Sequence, residues 1–358
     1  MQDIEKATID AAGLDDLRRP TLSDVARLAR VSTATASRAL SNPGLVSEAT
    51  RLAVIAAAEQ TNYRPNLMAR SLRKQQSQAI IVLVPGLDNY FYLEILRGLE
   101  EAAHARGYSL VLGLTNGDQD REDAYISVVQ SQRADGLILL DGGLSHLLGA
   151  EQTFKVPAVQ VVERLPGVDL PFVKIDDRAA AAKATRHLLD LGHRRIGHIS
   201  GLPRYSVTPD RIAGYRQALE AAGVRFDPAL VVRGDFLTVQ GEAAARQLMA
   251  LDKPPTAIFC GNDESAFGAM TALRDLGFKV PTDISLVGFD DVQQAAQHDP
   301  PLTTLRQPRY ELGFAAMTLL LDILSRAGDL ELEQILPVEM ILRESTAPVS
   351  QTKNRRVQ

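Results

Sequence analysis

Two sets of side chains in this chain have the types and spacing to do chemistry. The first is compact: Ser32-Thr33-Ala34-Thr35-Ala36-Ser37-Arg38, small hydroxyl residues ending in a guanidinium. Hydroxyls and backbone amides at a helix start can hold phosphate oxygens, and an arginine fork matches the O6 and N7 acceptors of guanine. The second set is dispersed: Asp88-Asn89-Tyr90-Phe91, Arg211, Gly234-Asp235-Phe236, Gly261-Asn262-Asp263 and Gly288-Phe289-Asp290-Asp291. Carboxylates, an amide and a guanidinium can fork onto vicinal hydroxyls, and aromatic rings stack on a flat or apolar sugar face. Taken singly, each has an ordinary structural reading: Asp290 as a helix cap, Phe236 as core.

The compact set needs a helix to present it. Leu22, Val25, Ala26, Leu28 and Ala29 recur at helical spacing, leaving Asp24 and Arg27 outward. Val31 closes a turn, and Ser32 caps a second helix from Thr33 to about Leu40. Such a pair suits a helix-turn-helix, whose second helix lies in the major groove of DNA. An ordinary helical hairpin is the other reading of these residues alone.

The dispersed set needs strands. Ala79–Val84 is a continuous apolar run, typical of a buried parallel strand. Helical patterns over residues 92–106, 121–132, 179–191, 211–222, 243–251 and 266–276 alternate with strands at 108–112, 136–140, 195–200, 256–260 and 285–288. That alternation implies parallel sheets covered on both faces. The length exceeds one doubly wound sheet and suggests two lobes with a ligand between them. Ligands in such folds sit beyond the carboxyl ends of strands, where the dispersed residues fall.

The 358 residues have a net charge of −5, which looks wrong for a nucleic-acid binder. Residues 20–74, however, hold eight Lys and Arg against Asp24, Glu48 and Glu59, a net of +5. Residues 1–19 are net −2 and the remainder net −8. A basic head on an acidic body is the footprint of a protein that neutralises phosphates with one end. The single cysteine, Cys260, excludes an internal disulfide and fits a reducing cytosol. Within Ala257-Ile258-Phe259-Cys260 it reads as a buried thiol. No signal-peptide pattern opens the chain and no apolar run approaches transmembrane length, so a cytoplasmic protein without a membrane partner is expected. Gly-x-Ser-x-Gly, Walker and His-Glu-x-x-His motifs are absent, and the six histidines lack metal-ligand spacing. The expectation is therefore no enzyme, no cofactor and no metal, with an enzyme acting on sugars or nucleosides as the remote alternative. The body alone would pass for a transport-linked binding protein; the basic head counts against that.

From Thr21 to about Arg73 the chain resembles the LacI family of bacterial repressors. Residues Ser32 to Arg38 fit the recognition helix, and Asn42-Pro43 with Val46-Ser47-Glu48-Ala49-Thr50-Arg51 fit the entry to a third helix. Asn62-Tyr63-Arg64-Pro65-Asn66-Leu67-Met68-Ala69-Arg70-Ser71-Leu72 fit the hinge segment. Two positions depart from the family. Arg30 replaces the usual glycine of the turn, at a position of positive φ, and Ala36 replaces a bulkier valine and packs less apolar surface. Neither change removes a base-reading group. The resemblance runs on to about residue 345, implying a body like a periplasmic sugar-binding protein. Its effector positions fall on Tyr90, Phe91, Arg211, Phe236, Asn262, Asp263 and Asp290. Within the family the likeness is to nucleoside-responsive members, through Val31-Ser32-Thr33-Ala34-Thr35, Gly234-Asp235-Phe236, Pro254-Pro255-Thr256-Ala257-Ile258-Phe259-Cys260, Asp299-Pro300-Pro301-Leu302-Thr303-Thr304 and Gln307-Pro308-Arg309-Tyr310-Glu311. Purine-responsive members place arginine where Tyr205 stands, which shifts the expectation from a purine base to a ribosyl ligand.

The expected fold class is α/β: a two-lobed, periplasmic-binding-protein-like body of parallel sheets, preceded by a small all-α helix-turn-helix domain. Expected divisions are a mobile tail at 1–19, the DNA-binding domain at 20–64, a hinge helix and linker at 65–78, the effector-binding and dimerisation domain at 79–345, and a mobile tail at 346–358. The implied function is a homodimeric repressor of double-stranded operator DNA. Its small effector would be a ribonucleoside such as cytidine, with a pentose or other sugar as the alternative. Thr33, Ala34 and Arg38 would face the major groove, while Thr21, Ser32 and Ser37 would hold phosphate. The family likeness implies that the hinge, with Asn66 and Ala69, folds only against DNA and a partner's hinge, and that Leu72 wedges into a minor-groove base step. A flexible linker is the plainer reading of that segment. The few apolar residues at 346–358 speak against a tetramer.

Overall fold

A computed structural model of the chain describes residues 20–64, 76–131, 133–140, 156–165 and 167–349. The chain divides into two compact units, residues 1–75 and 76–358.

In the first unit, α1 (Leu22–Leu28), α2 (Thr33–Ser41) and α3 (Glu48–Gln60) are joined by a turn and a 3-10 segment, Pro43–Leu45. Each helix begins at a hydroxyl cap. Thr21, Ser32 and Ser47 accept from the backbone N–H of Asp24, Thr35 and Thr50, and Thr21 with Asp24 forms a reciprocal capping box. The core is made of small side chains, Val25, Ala26, Ala36, Ala39, Val54, Ala57 and Ala58, with Leu22, Ala29, Val31, Leu40, Val46 and Tyr63 packed around it. Leu28, expected on the buried stripe, is 44 % exposed. The helix is only two turns long, and Val25 with Ala26 already fills the space beneath it. Arg30 has φ +55, and the Val31 N–H donates back to the Ala26 carbonyl at 3.0 Å, closing the turn.

The body is built on two parallel sheets. The first has the order β11-β5-β4-β3-β1-β2, from Ala79–Val84 (β1), Ser109–Leu114 (β2), Gly136–Leu139 (β3), Ala158–Val161 (β4), Phe172–Ile175 (β5) and Glu333–Leu336 (β11). The second has the order β7-β6-β8-β9, from Ile196–Ser200 (β6), Val231–Arg233 (β7), Ala257–Cys260 (β8) and Ser285–Val287 (β9). An antiparallel pair, Thr304–Arg306 (β10) with Glu339–Ile341 (β12), completes the strands among the described residues. The helices are Phe91–Ala105 (α4), Gln119–Gln130 (α5), Asp177–Asp190 (α6), Val207–Ala221 (α7), Thr238–Met249 (α8), Asp263–Asp275 (α9) and Arg309–Ser325 (α10).

The first lobe is therefore discontinuous in sequence. After the second sheet is built, α10 returns and packs on α4, and β11 adds beside β5. The crossing of α4 with α10 requires glycine on both sides: a Cβ at Gly98 would strike the Tyr310 carbonyl, and one at Gly313 the Ile95 carbonyl. Helix α7 begins four residues before Arg211, so Arg211 does not open it as the sequence suggested. Beyond residue 345 the described chain is held against the second lobe. Ala347 N–H donates to Ser285 Oγ at 3.0 Å and Val349 N–H to the Leu191 carbonyl at 2.9 Å. Among the described residues no helix is long and apolar enough to cross a membrane.

Candidate functional site

On α2 the residues expected to meet DNA share one side. Thr33, Ala34, Arg38 and Ser41 are exposed and Ser37 is half-buried, while Ala36 and Ala39 face the core. At 100° per residue, positions 33, 34, 37, 38 and 41 span one continuous arc opposite the two buried alanines. Arg38 Nε reaches the Ala34 carbonyl at 3.3 Å, which lays the guanidinium along that arc. No acidic residue occupies the first turn of α2, so its N-terminal amides carry no competing charge. Thr21 Oγ1 donates to Asp24 Oδ2 at 2.7 Å, and Ser32 Oγ accepts from the Thr35 N–H at 3.1 Å; both hydroxyls hold helix starts. Asn66, Ala69 and Leu72 lie outside the described residues.

In the body, Arg211 sits at the centre of a buried polar cluster. Its Nε and Nη2 each lie 2.9 Å from Asp177 Oδ1, and Nη1 donates to the Gly261 carbonyl at 2.6 Å. The guanidinium stacks over Phe289 at 3.8 Å from the ring centroid and lies 5.6 Å from that of Phe236. Phe236 has φ +70, and its ring occupies the room left by the missing side chains of Gly201 and Gly261. Asn262 Nδ2 donates to the Phe236 carbonyl at 2.9 Å while its Oδ1 caps α9 at Ser265. One amide thus ties the Phe236 loop to a helix start.

The two aspartates differ in what they leave free. Asp263 accepts from Thr304 Oγ1 at 2.6 Å and from the Val292 N–H at 2.9 Å, so both of its oxygens are engaged by protein. Asp290 is no helix cap. It has φ +117, bridges toward Arg306, and accepts from Gln307 Nε2 at 2.7 Å through Oδ1. Burial pushes its carboxyl up to about 7 against the pull of Arg211 and Arg309. Burial, and then the charge of Asp290, push Asp263 well above the usual carboxylate range. Tyr90 and Phe91 part company at the start of α4: Tyr90 is 47 % exposed and Phe91 is buried.

A cavity of about 280 Å³ is lined in part by Asp88, Asn89, Tyr92, Glu163, Tyr205 and Phe236; of the seven expected effector residues Phe236 lines it, and Tyr90, Phe91, Arg211, Asn262, Asp263 and Asp290 do not. Sequence reasoning missed Glu163 and Asp177. Asp177 lies in the pair Asp176-Asp177 at a helix start, and Asp176 does cap α6, accepting from the Ala179 N–H at 2.9 Å. Glu163 follows a four-residue strand with no motif around it. Among the described residues no cluster of His, Cys, Asp and Glu could hold a metal ion.

Comparison with known proteins places this geometry. Residues 77–343 match the periplasmic binding proteins and sugar binding domain of LacI family, and residues 21–66 match the bacterial regulatory proteins of the lacI family. The HTH-type transcriptional repressor CytR of Escherichia coli K12 is 40 % identical over 91 % of this chain and 96 % of its own length. The ribose operon repressor of the same organism is 37 % identical over 84 % of this chain and 92 % of its own. The crystal structure of the lac repressor dimer bound to operator and the anti-inducer ONPF superposes with a TM-score of 0.83 at 29 % identity, covering 92 % of this chain and all of that one. The exposed arc of α2 and the two-sheet body with its polar cleft are thus parts of one known plan: the chain belongs to the LacI family of bacterial regulatory proteins.

Proposed function

We propose that this protein is a homodimeric repressor that reads operator DNA with the exposed arc of α2 and answers to a ribonucleoside such as cytidine in the cleft of its body. Thr33, Ala34 and Arg38 meet base edges, and Arg38 forks onto guanine. Thr21, Ser32, Ser37 and the α2 amides fix the helix on phosphate. The hinge with Asn66, Ala69 and Leu72 supplies the minor-groove contact. Binding in the cleft shifts the population between DNA-competent and incompetent dimers, a coupling typically worth ~1–3 kcal/mol.

The observation that carries the effector assignment is the aromatic wall of the cavity. Tyr205 and Phe236, with ring centroids 5.9 Å apart, line it beside the carboxyl of Glu163. A flat heterocycle attached to a sugar uses both kinds of surface. The 40 % identity to CytR supports the same reading. A free pentose is the second reading, since Arg211 and Asp290 suit sugar hydroxyls as well, and the ribose operon repressor is a relative at 37 %.

A thermal-shift screen of ribonucleosides, purine bases, pentoses and hexoses tests both. A ligand at 100 times its Kd adds ~2.7 kcal/mol to stability. Stabilisation by cytidine supports the proposal, and stabilisation by ribose without any nucleoside favours the second reading. Response to a hexose alone overturns both.

A further inference from the structure

Glu163, which lines the cavity, is delivered by a strained turn. Val162, directly after β4, has φ +67, which a β-branched side chain resists, and the Glu163 N–H closes a tight turn on the Val161 carbonyl at 2.7 Å. Strain of this kind persists only where the surroundings over-determine it, and here it sits at the mouth of a cavity. From that turn the Glu163 side chain reaches the other lobe. Its Oε2 accepts from the Ser206 N–H at 2.7 Å and from Ser206 Oγ at 2.6 Å, just before α7. The Arg164 N–H donates to the same Ser206 Oγ at 2.9 Å, which orients that hydroxyl proton toward Glu163.

Both donors fall on one oxygen. The other, Oε1, is left to the cavity that Glu163 lines. The charged and titratable groups around it are Asp177 on α6, Arg211 on α7, Arg204 and Tyr205 in the loop before α7, Asp88 in the loop after β1 and Asp235 in the loop after β7. Burial, aided by the charge of Asp177 and opposed by the Ser206 bonds and Arg211, pushes the carboxyl up to about 7. With Oε2 saturated by Ser206, the neutral acid carries its proton on Oε1. It then offers the cavity a donor, where an ionised carboxylate would offer only an acceptor.

We propose that Glu163 is a specificity-determining residue of the cleft, whose Oε1–H donates to an sp² lone pair on the effector's heterocycle, the ring nitrogen or carbonyl oxygen of a pyrimidine. The inference rests on the nucleoside reading above. A bare pentose has no such acceptor, and its hydroxyls are better matched by an ionised carboxylate.

The two ligands therefore differ in the sign of their pH dependence. A ligand that needs the neutral acid loses affinity as pH rises through the free protein's value of about 7, approaching tenfold per unit. Between pH 6 and 8.5 the loss for cytidine is about thirtyfold, with uptake of a proton on binding at the alkaline end. Titration calorimetry of the full-length protein with cytidine and with ribose, in buffers of different ionisation enthalpy, reads both quantities. Glu163→Gln provides the discriminating variant. Its carbonyl takes the Ser206 bonds and its NH₂ keeps a permanent donor in the cavity, so cytidine should bind with the wild type's acid-side affinity at every pH. Cytidine binding that is pH-independent and takes up no proton leaves the nucleoside reading intact and overturns the role of Glu163. A pH dependence that survives Glu163→Gln belongs to another buried carboxyl, such as Asp177, Asp263 or Asp290, and overturns it too. No cytidine binding at any pH, with ribose binding more tightly as pH rises, overturns both.

Discussion

Replacing Arg30 by glycine should stabilise the first unit. Arg30 holds φ +55 at the end of α1, where the Val31 N–H returns to the Ala26 carbonyl at 3.0 Å and the Arg30 N–H to Arg27 at 3.3 Å. A left-handed backbone costs an L-residue roughly 1–2 kcal/mol. Glycine removes that cost but gains freedom in the unfolded chain, which offsets about 0.4–1 kcal/mol. The strain is the larger effect, leaving a net gain of ~0.5–1 kcal/mol. For a domain of 60–100 residues ~1 kcal/mol moves Tm by about 4–8 °C, and a head this small should respond at least as strongly. Scanning calorimetry of the full-length protein would show the head's transition rise by several degrees. Arg30→Ala loses the same charge but keeps a Cβ, so it should gain little. If Arg30→Gly melts at or below the wild type, the turn is not limited by φ and the reasoning fails. Operator titrations against salt give a second reading of the same variant. A phosphate contact by Arg30 would flatten the slope by ~0.9 when lost.

Three further outcomes are expected. Arg38→Ala should weaken binding to the cognate operator by ~1–3 kcal/mol and relax preference at one base pair, as measured by anisotropy against a panel of single-base variants. Asp177→Ala leaves the buried Arg211 guanidinium without its counter-charge and should cost ~3–5 kcal/mol in urea unfolding of the body. Asp177→Asn keeps an acceptor at 2.9 Å and should cost less. The raised carboxyl of Asp290 binds a proton in the folded state that the unfolded chain has already released. Its contribution is complete at acid pH, below the unfolded value of about 4, and is lost as pH rises through about 7. The body's Tm should therefore fall from pH 5 to pH 8, and Asp290→Asn should flatten that fall; a variant with the same slope would remove Asp290 from the account.

The elements that could be read from the sequence were those with contrast. The Ser32 cap, the α2 stripe and the uninterrupted run Ala79–Val84 each carry a local signal that no later packing contradicts. Helix α10 carries none. Its sequence is apolar nearly all round because it lies in the core, with Leu312, Ala316, Met317, Leu319, Leu320 and Leu321 buried, so no polar face marks its period. Strand β4 is four residues long and β11 alternates weakly at the sheet's edge. At the site, Phe236 and Asp290 were visible as unusual residues beside strand ends, and Arg211 as an arginine on a helical pattern. Asp177 and Glu163 were not, because their roles exist only once α6, α7 and the two lobes are brought together. Asn262 and Asp263 were visible for their chemistry, yet the structure shows that chemistry turned inward, toward Phe236, Ser265, Thr304 and Val292.

The late return of α10 and β11 to the first sheet bears on how the protein is made. A ribosome releases the head first and then most of the first lobe, but that lobe lacks its covering helix and an edge strand until residues 309–336 emerge. The second sheet is contiguous from Ile196 to Val287 and can close before them. During that interval the half-built first lobe exposes Ile95, Leu99 and the β5 edge, surfaces prone to wrong partners. Ribosome stalling upstream of residue 309 should therefore yield chains with a formed head and an open, chaperone-dependent body, so that the three-helix unit matures earlier than the lobe completed by α10 and β11.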